Sequence, residues 1–378
     1  MKSSRKFLAG LILSCAPTVF AQVAATPPAP EPPPAAPAPA PSKWSPDGID
    51  IYLYGDVYGT GNLNRPRSGY NQLYNFDDKA DNVHLSLAKV SLEKASGIFG
   101  FRADIGVGRT LDIISAGDDG PDHFKYAEQL FLEFRPEKTH GLQIDFGKFV
   151  TSAGAEVIES GSNWNYSRSL LFVLAIPYYH FGARATLPVN KAFTAGVQVV
   201  NGWNSVGTNN KFQTVGIVGN FTFKKGTWAN VLYTGPQDEG GVSAYRQVYD
   251  SVLTINPTSK GSFYVNFDYG SDKQPHASRQ KWTGVAVAGK YQFNNRFAFS
   301  PRAEFYDDID GFSTGVSQLL TEVTLTGEMK VHEGLIARVE YRNDHADHPY
   351  FDRRSQTTLA KNQNVFALGI VASFGPKK

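Results

Sequence analysis

Residues 363 to 374 read Gln-Asn-Val-Phe-Ala-Leu-Gly-Ile-Val-Ala-Ser-Phe. In an extended chain, successive side chains point to opposite sides. Phe366, Leu368, Ile370, Ala372 and Phe374 then share one face, with Val365, Ala367, Gly369, Val371 and Ser373 on the other. One face is bulky and apolar and the other small, which suits a sheet that meets lipid on one side and water on the other. The alternation recurs upstream. Residues 261–270 set Phe263, Val265, Phe267 and Tyr269 against Ser262, Tyr264, Asn266 and Asp268, and 97–108 set Phe99, Phe101, Ala103, Ile105 and Val107 against Arg102 and Asp104.

Cutting the chain at its turn residues gives segments 48–59, 82–94, 97–108, 125–135, 141–149, 178–187, 191–201, 212–224, 227–235, 245–255, 261–270, 281–293, 296–306, 318–330, 334–343 and 363–374. The joins at 95–96, 136–140, 188–190, 225–226, 256–260, 294–295 and 331–333 are brief and turn-rich. Those between them are long, among them 60–81, 109–124, 150–177, 307–317 and 344–362. A barrel crossing an outer membrane sorts its connections in this way, with tight turns at the periplasmic rim and long loops outside. A soluble β-sandwich has no reason to. The expected fold is all-β, a transmembrane antiparallel β-barrel of about 16 strands, with about 14 or 18 also compatible with the spacing. An even count places both chain ends on the short-turn side.

Composition agrees. Hydrophobic residues make up only 41% of the chain, and after the first twenty residues no apolar run approaches the roughly 18 that a membrane-spanning helix needs. A barrel avoids that requirement, since only alternate residues must be apolar and closure pairs every backbone group. Phe221, Phe223, Trp228, Tyr291, Phe293, Phe297 and Phe299 crowd the segment ends beside short turns, where barrels carry aromatic girdles at headgroup level.

Residues 1–21 have the form of a secretory signal: Lys2, Arg5 and Lys6, then an apolar run over 7–13, then Val19-Phe20-Ala21 before Gln22. Cys15 offers a competing lipoprotein site, although Leu13 fits that pattern poorly. It is the only cysteine, so no intrachain disulfide can form. The formal charge of +2 includes the three signal cations, and without them 34 basic residues face 35 acidic ones. Nothing in this balance suggests nucleic acid. Residues 22–47 form a linker whose 27–41 stretch is almost wholly proline and alanine, a semi-rigid spacer without core-forming capacity. It is expected in the periplasm, as a tether or as a grip on an envelope partner. The barrel then occupies 48–374, and 375–378 form a short polar tail.

A barrel of 16 to 18 strands is wide enough for an aqueous channel. Alternation sends Arg102, Asp104, Glu133, Gln143, Asp145, Arg184, Arg302, Glu304, Glu322, Arg338, Glu340 and Arg342 inward, so they are the expected pore lining. Both signs are present, which favours weak selectivity over a dedicated ion pore. The competing arrangement is a salt-bridged, occluded interior. One connection is unusual: 150–177 holds Glu156, Glu159, Trp164, Tyr166 and Arg168, then the apolar stretch 170–176, which is out of place in a solvated loop. Folding inward would bury that stretch and leave Glu156, Glu159 and Arg168 as the constriction. A subunit contact at the surface is the alternative.

At this loop the chain resembles a known family. Residues 145–151 (Asp-Phe-Gly-Lys-Phe-Val-Thr), 154–159 (Gly-Ala-Glu-Val-Ile-Glu) and 165–169 (Asn-Tyr-Ser-Arg-Ser) are similar to the outer-membrane β-barrel porin family described as OmpL-like, as are Asn201-Gly202-Trp203-Asn204 and Gly235-Pro236. The resemblance extends over nearly all of the chain from Gly48 onward. It implies an outer-membrane pore for small hydrophilic solutes in a Gram-negative-type, diderm bacterium, but names no solute. One departure is that Gly375-Pro376-Lys377-Lys378 follow Phe374, where such barrels usually end on the aromatic residue itself.

The expected function is passive diffusion through a water-filled porin, with outer-membrane lipid and small hydrophilic solutes as partners, association of the barrels as homo-oligomers, with a trimer as the expected form, and no cofactor. A substrate-selective anion or sugar porin is the first alternative. A barrel enzyme or adhesin is the second, with His180 and Ser167 as the nearest hydrolytic pair. Asp307, Asp308, Asp310 and Gly311 lack the spacing and closing glutamate of a calcium loop. Asp344, His345, Asp347 and His348 fix no metal geometry, and no metal is expected.

Overall fold

The computed structural model describes residues 44–376, apart from 119, 208–209, 240–241, 276 and 355–357. The signal peptide and all but the last residues of the linker lie outside the described residues. Sixteen strands follow in chain order: β1 (Asp50–Asn62), β2 (Val83–Lys94), β3 (Phe99–Val107), β4 (Ala127–Phe134), β5 (Gln143–Val150), β6 (Tyr179–Asn190), β7 (Phe193–Val200), β8 (Thr214–Phe223), β9 (Gly226–Glu239), β10 (Val242–Ile255), β11 (Gly261–Lys273), β12 (Gln280–Gln292), β13 (Phe297–Asp308), β14 (Gln318–His332), β15 (Leu335–Ala346) and β16 (Asn362–Phe374). Each pairs antiparallel with its neighbours, and β1 pairs with β16 from Leu53↔Phe374 to Asn62↔Val365, so the sheet closes. Closure leaves no strand edge in lipid.

The alternation has the sense read from the sequence. On β16, Phe366, Leu368, Ile370 and Phe374 are exposed, while Val365, Ala367 and Val371 are buried toward the lumen. On β11, Phe263, Phe267 and Tyr269 face out, and Tyr264, Asn266 and Asp268 face in. The outward aromatics stack at the short-turn rim, Phe193 on Phe221 at 4.7 Å and Phe221 on Trp228 at 5.4 Å between ring centres.

One connection differs from the reading. The segments ending at Gly235 and resuming at Tyr245 continue as strands to Glu239 and from Val242, paired Glu239↔Val242. Backbone pairing continues past the stretch that lipid forces to alternate, so the fifth outer connection is reduced to the two residues 240–241. Two short helices lie in the loops, α1 (Arg109–Ile114) and α2 (Leu170–Leu174). The core is not the barrel wall alone. Leu73, Phe76, Leu111, Ile158, Leu170, Leu171, Phe172 and Ile176 from three outer loops join wall residues such as Tyr233, Trp282 and Tyr306 in one apolar cluster.

Candidate functional site

Residues 151–178, between β5 and β6, fold into the lumen and cross it. The chain enters at Gly154, whose φ of 94° is one that residues with a Cβ rarely adopt. Ser169 then caps α2, its Oγ accepting from Phe172 N at 3.0 Å, and Glu304 of β13 accepts from Leu170 N (3.0 Å) and Leu171 N (3.3 Å) at the same helix end. The apolar residues of α2 go under the outer loops, which explains an apolar stretch in an external connection. Trp282 Nε1 donates to Ala175 O at 3.2 Å.

The wall holds the loop chiefly by charge. Arg302 of β13 donates to Glu156 (2.7 Å) and to Ser167 O (2.8 Å), and its Nε lies 3.0 Å from Glu304 and 3.2 Å from Glu322. Arg338 of β15 donates to the carbonyls of Ser160 (2.5 Å), Asn163 (2.6 Å) and Asn165 (3.2 Å) while paired with Glu328 at 2.6 Å. Glu340 accepts from Tyr166 N (2.6 Å) and Ser167 N (2.9 Å). Arg342 donates to Arg168 O at 2.7 Å. On the adjoining strands, Asp56 of β1 accepts from Ser160 Oγ (2.6 Å) and Tyr166 Oη (2.7 Å), and Lys89 of β2 pairs with Glu159 at 2.5 Å and Glu128 at 2.9 Å. Gly369 of β16 makes room for the Tyr166 ring, which a Cβ there would strike. Buried charges stay only where they are paired and hydrogen-bonded, and here the loop backbone supplies many of the partners.

Inward side chains are buried all round the barrel. Every strand from β1 to β16 presents at least one buried inward side chain, among them Asp56, Lys89, Phe149, Val200, Tyr233, Asn266, Arg302 and Arg342. Below the loop, on the short-turn side, lies an open cavity of about 820 Å³ lined in part by Tyr54, Lys89, Arg102, Glu159, Ile336 and Ser373.

The expected site residues therefore separate into two sets. Arg302, Glu304, Arg338 and Glu340 point inward but are sheathed by the loop. Glu156 and Arg168 are buried too: Glu156 bonds Arg302 and Ser169 N, and Arg168 donates to Tyr166 O and Ile158 O. Glu159 alone of the three constriction residues borders the open cavity. Burial raises its carboxyl, but the bonded Lys89 ammonium outweighs this and holds it below the usual carboxylate range. The second set meets water. Arg102 is 28% exposed over a fully buried Asp104, Arg184 is 20% exposed over Asp145 at 4%, and Arg135 is 24% exposed over Glu133 at 8%. In each of these pairs the cation faces the solvent.

The sequence reading passed over the residues between β1 and β2. Leu73, Tyr74, Asn75, Phe76 and Asp77 are buried there, Phe76 meeting Phe172 edge-on at 6.0 Å. Asp56 and Lys89 were missed as well, although both occupy inward positions of strands already identified. The hydrolytic pair is not assembled: His180 Nδ1 lies 2.8 Å from Gly202 O, and Ser167 is held by Glu340 and Arg302. Asp308 caps its loop by accepting from Thr314 N at 2.7 Å, and Asp310 accepts from Lys281 N at 2.9 Å. Among the described residues no three His, Cys, Asp or Glu side chains cluster as metal ligands would.

Residues 48–374 match the family described as "Putative beta-barrel porin-2, OmpL-like". No curated protein matches. Among solved structures, the fold is similar to an anion-selective porin from Comamonas acidovorans (TM-score 0.60, 10% identity, 86% of this chain and 99% of that one). It is also similar to the outer membrane channel DcaP of Acinetobacter baumannii (0.58, 11%, 87% and 99%) and to OmpT of Vibrio cholerae (0.58, 12%, 86% and 97%). At such identities the likeness is one of fold.

Proposed function

The chain belongs to the OmpL-like β-barrel porin-2 family, outer-membrane channels for small solutes in Gram-negative bacteria, and we propose that residues 150–177 act in it as a diaphragm. The observation that carries this is the loop's set of bonds to β1, β2, β13 and β15, made among buried inward residues that all sixteen strands contribute. Solutes pass when the loop leaves its seat. In this reading Glu156 and Arg168 fasten the loop, Glu159 forms its open edge, and Arg302, Glu304, Arg338 and Glu340 are wall anchors. Arg102, Asp104, Glu133, Asp145 and Arg184 line the vestibule below. The test is a planar bilayer: the wild-type protein gives brief ohmic steps, and Arg338→Ala lengthens them. A silent bilayer from protein whose gel migration is still heat-modifiable would defeat the reading.

The exposed guanidiniums favour a second reading, in which the vestibule prefers anions. Each buried carboxylate holds an arginine whose outer edge is in water, so the field at the solvent boundary is more positive than the charge count suggests. The reversal potential under a salt gradient tests this. The one hydrolytic pair the sequence offered, His180 and Ser167, is held apart in other hydrogen bonds. On the lipid face, Asn230, Thr234, Gln247 and Ser251 are hydrogen-bonded among themselves and to Tyr249, Tyr245 and Trp228. Polar groups there favour β9 and β10 as the contact in a homo-oligomer.

A further inference from the structure

Residues 63–82 enter the lumen beside the diaphragm, and one carboxyl group marks where the two meet. Asp77 is 1% exposed, and among the described residues no other residue donates a hydrogen bond to either of its oxygens, which leaves its own backbone N–H as the one donor beside it. The ionisable groups around it are Arg168 and Tyr166 of the diaphragm, Glu340 and Arg342 of β15, Tyr58 of β1 and Tyr74 of its own segment. Arg168 Nε is also buried without a partner, its terminal nitrogens being spent on two backbone carbonyls. The two segments are tied together around this point. Arg342 donates to Arg168 O at 2.7 Å and to Leu73 O at 3.2 Å, and the Arg168 guanidinium lies 5.0 Å from the centre of the Phe76 ring.

We propose that Asp77 is the positioning residue of a proton-controlled latch: protonated, it lets residues 63–82 lie against the diaphragm and hold Arg168 in the closed lumen, and its ionisation releases both. The proposal rests on the diaphragm reading. A carboxylate buried with no donor but its own backbone N–H is costly. The nearby arginines offset only part of that cost, because neither of them donates to the carboxyl group. Burial first and Glu340 second push the Asp77 carboxyl up to about 7, against the pull of Arg168 and Arg342. Its neighbour Asp78 is already paired, accepting from Arg109 at 3.0 and 2.6 Å.

The sign follows. Released into water, Asp77 returns toward the ordinary 3.8, so the closed state holds the proton more tightly and is fully favoured only below that value. Closure weakens as pH rises toward about 7 and changes little beyond it. Between those limits, the closed-to-open ratio falls about 50-fold from pH 5 to pH 7.

Open probability in planar bilayers from pH 5 to 8 tests the latch on wild type, Asp77→Asn and Asp77→Glu. Wild type should open by about that factor on going to pH 7, Asp77→Asn should stay closed with a flat profile, and Asp77→Glu should restore the dependence. An Asp77→Asn channel with the wild-type profile, or a wild type that opens on acidification, overturns the proposal. Should Asp77→Asn fail to fold, hydrogen exchange of residues 63–82 in wild type, corrected for the chemical rate, decides: protection lost between pH 5 and 7 supports the latch, and unchanged protection overturns it. A conducting but pH-flat wild type removes the latch alone, whereas a folded, silent one removes the diaphragm with it.

Discussion

Replacing Glu340 with alanine tests the clamp most directly. Its carboxylate accepts from two consecutive loop amides, Tyr166 N at 2.6 Å and Ser167 N at 2.9 Å, and from Thr326 Oγ1 at 2.6 Å. In the closed state the truncation leaves two buried peptide N–H groups without an acceptor, each costing about 1–3 kcal/mol. In the open state those amides meet water and cost nothing. The closed state therefore loses about 4 kcal/mol, which is about three decades in the closed-to-open ratio. The loop is not part of the closed sheet, so barrel assembly should survive, and heat-modifiable migration checks this. Single-channel recording should show long open dwells where wild type shows brief ones. Because Glu340 is also the second cause of the raised Asp77 carboxyl, the pH midpoint should move down. A folded Glu340→Ala channel whose open dwells stay within about threefold of wild type would refute the assignment of Glu340 as a clamp.

Gly369→Val puts a side chain where the Tyr166 ring lies against β16 and should raise conductance without altering gel migration; unchanged conductance would show that the loop tolerates the clash. Substituting Gln for Arg102, Arg135 and Arg184 together removes the water-facing halves of three pairs and should shift the reversal potential away from anions, a shift that an unselective vestibule would not show. Leu368→Arg introduces a charge on the outward face of β16, where Leu368 is 51% exposed; refolding into vesicles under urea should show a loss of about 2–4 kcal/mol if this position lies at mid-membrane.

What the sequence reveals depends on how local the cause is. Lipid constrains every second residue of each strand, so Phe366, Leu368 and Ile370 announce their face without reference to any other segment. Past the membrane that constraint ends, and the Gly235–Glu239 extension of β9, with Pro236 and three polar residues, carries no alternation from which to read it. The diaphragm is legible because residues 170–176 are apolar where solvent is expected. Residues 63–82 are not, since Leu73 and Phe76 sit among Asn71, Asn75, Asp77 and Asp78, and the groups that make burial tolerable are remote in sequence. Asn71 accepts from Asn62, which itself donates to Gln363, and Gln363 also receives Gln72 N.

The charged residues make the same point at finer scale. Arg184 and Arg302 read alike, each inward with a carboxylate nearby, because alternation gives a direction but not a height along the barrel. Height decides what each does. Arg302 meets Glu156, Glu304, Glu322 and the Ser167 carbonyl, so its donors are consumed in fastening the loop. Arg184 donates from Nε to Asp145 at 2.7 Å, stacks over Phe131 and Phe149, and keeps a fifth of its surface in water. A guanidinium binds a passing anion only with N–H groups not already committed. Selectivity in this barrel should therefore follow Arg184 and its neighbours below the loop, and gating should follow Arg302 and its neighbours beside it.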